Sequence, residues 1–91
     1  PKLVVDVTAE WCIECRIMDK TLFATSPQSL ASWQVVKLDV TDNTPDSQAI
    51  YKKLAVFGPP VLLYYQNGQL VARQNGEVKR PDFEQLLSQL N

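Results

Sequence analysis

Histidine is absent from this chain, and cysteine occurs only twice in its 91 residues. Zinc takes four nitrogen, sulfur or oxygen ligands, so two thiols without an imidazole leave such a site half built, to be completed by carboxylates or a second chain. Neither sign of charge is in excess: the net charge is −1, which suggests no nucleic-acid or lipid-headgroup surface. No apolar run approaches the roughly 20 residues that span a bilayer, so direct membrane insertion is not expected. The opening residues lead one to expect no secretory leader, and there is no repeat, low-complexity tract or internal linker. The chain opens on Pro1-Lys2-Leu3-Val4 rather than on methionine, and a strand pattern starts almost at once. The expectation is a single domain, residues 1–91, taken from a longer protein, so the missing leader says nothing about compartment. Hydrophobic residues make up 45%, enough for one core, although a domain of this size buries only roughly 60–70% of its unfolded surface.

Leu3-Val4-Val5-Asp6-Val7-Thr8-Ala9 reads as a buried strand with one acid inside it. Ile13 to about Ala24 reads as a helix with Ile13, Ile17, Met18 and Leu22 near one face. Ser26 and Pro27 supply an N-cap and a first helical position for a short turn from which Leu30 and Trp33 face inward. Gln34–Val40 is a second strand, and Pro45 opens a helix to about Leu54 whose apolar face is Ile50, Tyr51 and Leu54. Val61–Tyr65 is a third strand, with Tyr64 and Tyr65 on opposite faces. Asn67-Gly68 marks a two-residue hairpin into a strand from Gln69 to Arg73. Pro81 starts a last helix carrying Phe83, Leu86, Leu87 and Leu90. The order β-α-β-α-β-β-α predicts an α/β fold with a four-stranded mixed sheet and helices on both faces. Two crossovers are expected to make the first three strands parallel, the hairpin adding an antiparallel edge.

Trp11-Cys12-Ile13-Glu14-Cys15 falls where a strand ends and a helix begins. A disulfide closing so short a loop gains little from loop entropy, which argues for chemical rather than structural use. The thiolate is the reactive form of cysteine, and a helix N-terminus favours it through free N–H groups and a partial positive charge. Cys12 is expected to be exposed and Cys15, a turn further in, more buried. That asymmetry suits two-step exchange: Cys12 attacks a partner disulfide, and Cys15 then attacks Cys12 and releases the reduced partner. The electrons travel on the dithiol itself, and no further cofactor or metal is expected.

The run Val5 to Arg16 resembles the strand, loop and active-site helix of the thioredoxin superfamily, and Gly58-Pro59-Pro60-Val61 resembles its cis-proline loop. The resemblance covers essentially the whole chain, except that full-length thioredoxins begin with a further strand and helix. The C-terminal periplasmic domains of the DsbD family of membrane thiol reductases are closer. They are similar in Ala9-Glu10-Trp11-Cys12, in a CxxC interior without proline, in an acid at Asp19, and in Lys20-Thr21-Leu22-Phe23 before Ser26-Pro27. This resemblance implies a protein-disulfide reductase domain of a bacterial inner-membrane protein, lying in the periplasm and serving cytochrome c-type biogenesis among other processes. Implied partners are the transmembrane domain and the N-terminal periplasmic domain of the same parent, with protein disulfides and dithiols as substrates. The domain itself is expected to be a monomer. A free-standing cytosolic thioredoxin, a non-catalytic thioredoxin-like binding module and an oxidase are the rivals.

By the same resemblance Pro60 is cis and packs beside Cys12; the plainer alternative is two prolines starting a strand. Trp11, Pro59 and Pro60 then form the substrate-binding surface around Cys12, with Trp11 as a platform, while Trp33 looks like core. Asp6 lies on the strand face opposite Val5 and Val7. There it is either a buried acid of raised pKa that moves the Cys15 proton, or an acid that reaches water at the strand edge. Lys37 in the neighbouring strand is its candidate partner. Asp6, Glu14 and Asp19 are expected near the cysteines, where three anions against one partial positive charge keep Cys12 thiol-like and the domain reducing.

Overall fold

Four strands emerge where β-branched and apolar residues cluster: β1 (Lys2–Thr8), β2 (Gln34–Asp39), β3 (Val61–Gln66) and β4 (Gln69–Asn75). In the computed structural model, which describes residues 1–91, they form one sheet in the order β2-β1-β3-β4. β1 and β2 are parallel, with Asp6 opposite Lys37 and Thr8 opposite Asp39. β3 is antiparallel to β1, which corrects the expectation of three parallel strands. The reason lies in the connection. Val61 pairs with Val7, so the chain enters β3 at the same end of the sheet at which it left β2. Helix α2 (Pro45–Leu54) ends in a left-handed Ala55 at φ 54°, and the chain doubles back there instead of crossing the sheet once. Asn67 and Gly68 both take positive φ, 53° and 81°, the type I′ geometry that pairs β3 with β4.

Helix α1 (Ile13–Met18) continues into a π-helical turn, Asp19–Phe23, rather than running on as one α-helix to Ala24. The buried stripe is Cys15, Met18 and Leu22. Ile13 and Ile17, expected on the inner face, are 69% and 40% exposed. The stripe is set by the i, i+3, i+7 rows that begin at Cys15, and the isoleucines lie off it. Pro27 takes the cap position of the short 3₁₀ turn Gln28–Leu30 in extended geometry, and Ser26 donates its hydroxyl back to the Phe23 carbonyl at 3.3 Å, so that start is one residue later than its sequence suggests. Helix α3 (Arg80–Leu90) is capped by Lys79 and starts at Arg80, one residue before the Pro81 at which its start was expected.

Two cores result, one on each face. Val4, Leu62 and Tyr64 of the sheet meet Met18, Leu22, Trp33, Phe83 and Leu87. On the other face Val7, Val61 and Leu63 meet Val40, Val56 and both cysteines, covered by Tyr51 and Leu54 of α2. Tyr64 is core and Tyr65 packs half-buried on the second face, as their alternation requires.

Candidate active site

Cys12 follows the short turn after β1, takes extended geometry (φ −90°, ψ 105°) and caps α1. Its Sγ accepts the backbone N–H of Cys15 at 3.1 Å, and its own N–H donates to the Ala9 carbonyl at 3.1 Å. Cys12 and Cys15 are joined as a disulfide with Cα atoms 5.3 Å apart. Both cysteines are only 3% exposed, which corrects the expected contrast between an open Cys12 and a buried Cys15. Bonded to each other, the two sulfurs share one apolar cluster with Ala9, Val40, Val56 and Val61. What distinguishes them is the hydrogen bond: the Cys12 sulfur receives a helix N–H.

Asp6 is 2% exposed in the middle of β1. Burial pushes its carboxyl up to about 6, the nearby charge of Asp19 adds to the rise, and Lys37 opposes it. Lys37 stands opposite Asp6 in the sheet, yet its Nζ lies 2.9 Å from Asp19 Oδ1. The sequence-level pairing of Lys37 with Asp6 is thus corrected: a long side chain on an edge strand reaches the half-exposed carboxylate at the end of α1. The ion pair borders a polar cavity of about 360 Å³ lined also by Thr8, Ala9, Glu10, Arg16 and Asp39. Arg16 closes one side by donating to the Glu10 carbonyl at 2.5 Å. Glu14 sits exposed in the first turn of α1 with no ion-pair partner.

Trp11 is 60% exposed and held in place. Its indole N–H donates to the Thr41 carbonyl at 3.0 Å, while the Thr41 hydroxyl oxygen accepts the Glu10 N–H at 2.9 Å. Asp39 fixes Thr41 in turn, accepting its N–H at 2.9 Å and its hydroxyl, and these hydrogen bonds hold the Asp39 carboxyl below its ordinary range. Sequence reasoning missed Thr41 and Asp39 as supports of Trp11. Thr41-Asp42-Asn43-Thr44 reads only as a turn, and nothing local ties it to a residue 30 positions earlier.

The Pro59-Pro60 peptide is cis. Pro60 is buried and Pro59 half-buried. With Phe57, Gly58, Val61, Asn75 and Gly76 they line an open cavity of about 400 Å³, to which Trp11 and the cysteines do not contribute. The loop nonetheless belongs to the cysteine region, because Val56 and Val61 on its two sides share the apolar cluster of Cys12 and Cys15. No group of three or more Cys, Asp or Glu side chains is placed to share a metal ion.

Among proteins of known name, the chain is 30% identical over 82 residues to the thiol:disulfide interchange protein DsbD of Campylobacter jejuni, covering 88% of this chain and 14% of that protein. It is 35% identical over 71 residues to the DsbD of Haemophilus ducreyi, covering 74% of this chain and 12% of that one. It therefore spans about a seventh or less of the length of these relatives. Among solved structures it is similar to the oxidised C-terminal domain of Neisseria meningitidis DsbD, at 30% identity and TM-score 0.81, over 99% of this chain and 80% of that one. A thioredoxin from Thermus thermophilus superposes at 25% identity and TM-score 0.75, over 98% of this chain and 72% of that one. A family profile described as a thioredoxin-like domain matches residues 1–91. Matched by that profile from its first residue to its last, the chain belongs to the thioredoxin-like domain family.

Proposed function

We propose that this thiol–disulfide oxidoreductase domain accepts electrons from a membrane-embedded partner and passes them to disulfides of periplasmic proteins, as a periplasmic part of a bacterial inner-membrane protein. The likeness to DsbD proteins supports the setting. No helix of this chain is long and apolar enough to cross a membrane, so the membrane partner is another segment of the parent or a separate chain. The transmembrane and N-terminal periplasmic domains of the same parent are the proposed electron donor and first acceptor.

The observation that carries the reading is the Cys15 N–H on the Cys12 sulfur. In the dithiol form the same N–H stabilises a Cys12 thiolate, making Cys12 the attacking sulfur. Its attack on a partner disulfide forms a mixed disulfide and expels one partner thiolate. Cys15 then attacks Cys12, the second partner thiolate leaves, and the Cys12–Cys15 bond re-forms. Two electrons pass to the partner, and the two protons of the dithiol end on the partner's thiols. Asp6, whose buried carboxyl is pushed up to about 6, takes up the Cys15 proton as that sulfur becomes nucleophilic and gives it on to the departing partner thiolate. Trp11, Pro59 and Pro60 offer the surface on which the partner rests.

A trapping experiment tests this. Cys15→Ser, mixed with the oxidised N-terminal periplasmic domain of a DsbD relative, is expected to accumulate a mixed disulfide through Cys12, visible by mass spectrometry without reductant. Cys12→Ser is expected to trap none. Trapping by Cys12→Ser alone reverses the two roles, and trapping by neither removes the proposed acceptor.

A further inference from the structure

The segment between α2 and β3 is held at both ends from one side of the sheet. At its start Arg73 of β4 donates Nη1 to the Leu54 carbonyl at 3.2 Å and Nη2 to the Ala55 carbonyl at 3.1 Å. At its end the Gly76 N–H donates to the Pro60 carbonyl at 2.9 Å. Between these clamps Val56 turns inward to the cysteine cluster, and Phe57 is fully exposed. A fixed loop that displays a phenyl ring gains nothing for the chain's own core from that ring. Phe57 lines the open cavity that Pro59 and Pro60 also line, so its ring stands exposed on the cis-proline loop itself.

Arg73 carries a cost that its helix contacts alone do not remove. Its Nε is buried without a hydrogen-bond partner, a donor stripped of water with nothing in exchange. A guanidinium at the C-terminal carbonyls of a helix is favourable, but a lysine or a solvated turn also satisfies such carbonyls. The planar fork adds orientation: it meets two successive carbonyls at once and so fixes the direction in which the chain leaves α2.

We infer that Arg73 is a positioning residue for protein substrates, holding the Ala55–Pro60 loop so that Phe57 meets the apolar polypeptide that flanks an incoming disulfide. The inference rests on the exchange activity proposed above. The occupant is a polypeptide rather than a small thiol because Phe57 shares its open cavity with Pro59 and Pro60 and not with the cysteines, so only a substrate with chain beside its disulfide touches both. A small disulfide has no flanking chain to reach Phe57, so only a protein substrate gains from the contact.

The experiment uses the reduced chain in single turnover against excess insulin, whose disulfides lie in polypeptide, and against excess oxidised glutathione. Arg73→Met is expected to lower the second-order rate constant for insulin about tenfold, and Phe57→Ala about fivefold, while both keep the glutathione rate within about twofold. The double variant is expected to be no slower on insulin than Arg73→Met, since the arginine acts through the phenylalanine. Arg73→Lys should recover part of the loss. Equal slowing on both substrates, or an insulin rate unchanged in Phe57→Ala, overturns the inference. Phe57 is fully exposed, so its variant remains informative even if Arg73→Met unfolds. An unsubstituted chain that reduces neither substrate overturns the exchange activity itself, and this inference with it.

Discussion

Asp6 shows how one residue links the site to stability. Its carboxyl titrates at about 6 in the folded chain against 3.8 in the open chain. Below 3.8 it is protonated in both states, and above 6 it is ionised in both. Between those values the folded state keeps a proton that the unfolded state has released, so stability falls as pH rises through the window and the loss persists above it. The full cost is about 3 kcal/mol. Asp6→Asn is expected to abolish this slope and to be more stable than the parent at pH 7.5. Urea midpoints of the oxidised chain at pH 4 and pH 7.5 check it; an unaltered slope would place the titration on another group. The sequence reveals the acid within an apolar strand but leaves open whether it reaches water; its burial in the fold decides for the raised carboxyl. It does not reveal that Asp19 takes the ammonium of Lys37. That ion pair offsets one of the three anions expected to act on Cys12, and Glu14 stands in water, so Asp6 is the one buried charge of the set.

At the scale of elements, α1 and its π turn decide how the cysteines and Asp19 are presented. The turn closes with the Ala24 N–H on the Asp19 carbonyl at 2.8 Å, a spacing wider than that of an α-helix. Arg80, at the start of α3, braces the segment: its Nη1 donates to the Thr21 carbonyl at 3.0 Å and also to the Thr25 carbonyl, while Nε pairs with Glu84 at 3.1 Å. Arg80→Ala is expected to cost about 1 kcal/mol, because water can replace only part of this geometry. The urea midpoint should fall with m unchanged, and a midpoint equal to the parent's would show that the brace carries no weight. The helix from Pro45 to Leu54 was legible to the residue, since Pro at the first position and an apolar face mark it locally. The inward face of α1 was not. Hydrophobicity ranks Ile13 and Ile17 as core residues, but which side of a helix is buried depends on the sheet it lies against.

The whole molecule divides its labour between two faces of one sheet. Phe83 lies in the core opposite the cysteines, fully buried and edge-on to Phe23 with ring centroids 5.6 Å apart. Phe83→Ala is expected to cost about 3–5 kcal/mol of stability. Because the cysteines pack in the other core, the exchange rate per folded molecule should stay near that of the parent. Denaturant titration and exchange assays corrected for folded fraction check the separation; a rate that falls further than the folded fraction would show that the cores are coupled through the sheet. What the sequence determined by itself is local: strands where β-branched residues run together, a type I′ hairpin at Asn67-Gly68, a helix start at Pro45, and two cysteines one turn apart at a strand–helix junction. Each is encoded within a few neighbouring residues and survives without knowledge of the rest. The tertiary structure alone decided that β3 runs antiparallel to β1, that Lys37 bonds Asp19, that Thr41 holds Trp11, and that Arg73 grips the end of α2. The polar contacts among these join residues 18, 30 and 19 positions apart. No residue carries a local signal for a partner that distant, because the sheet first has to form and bring the two within reach.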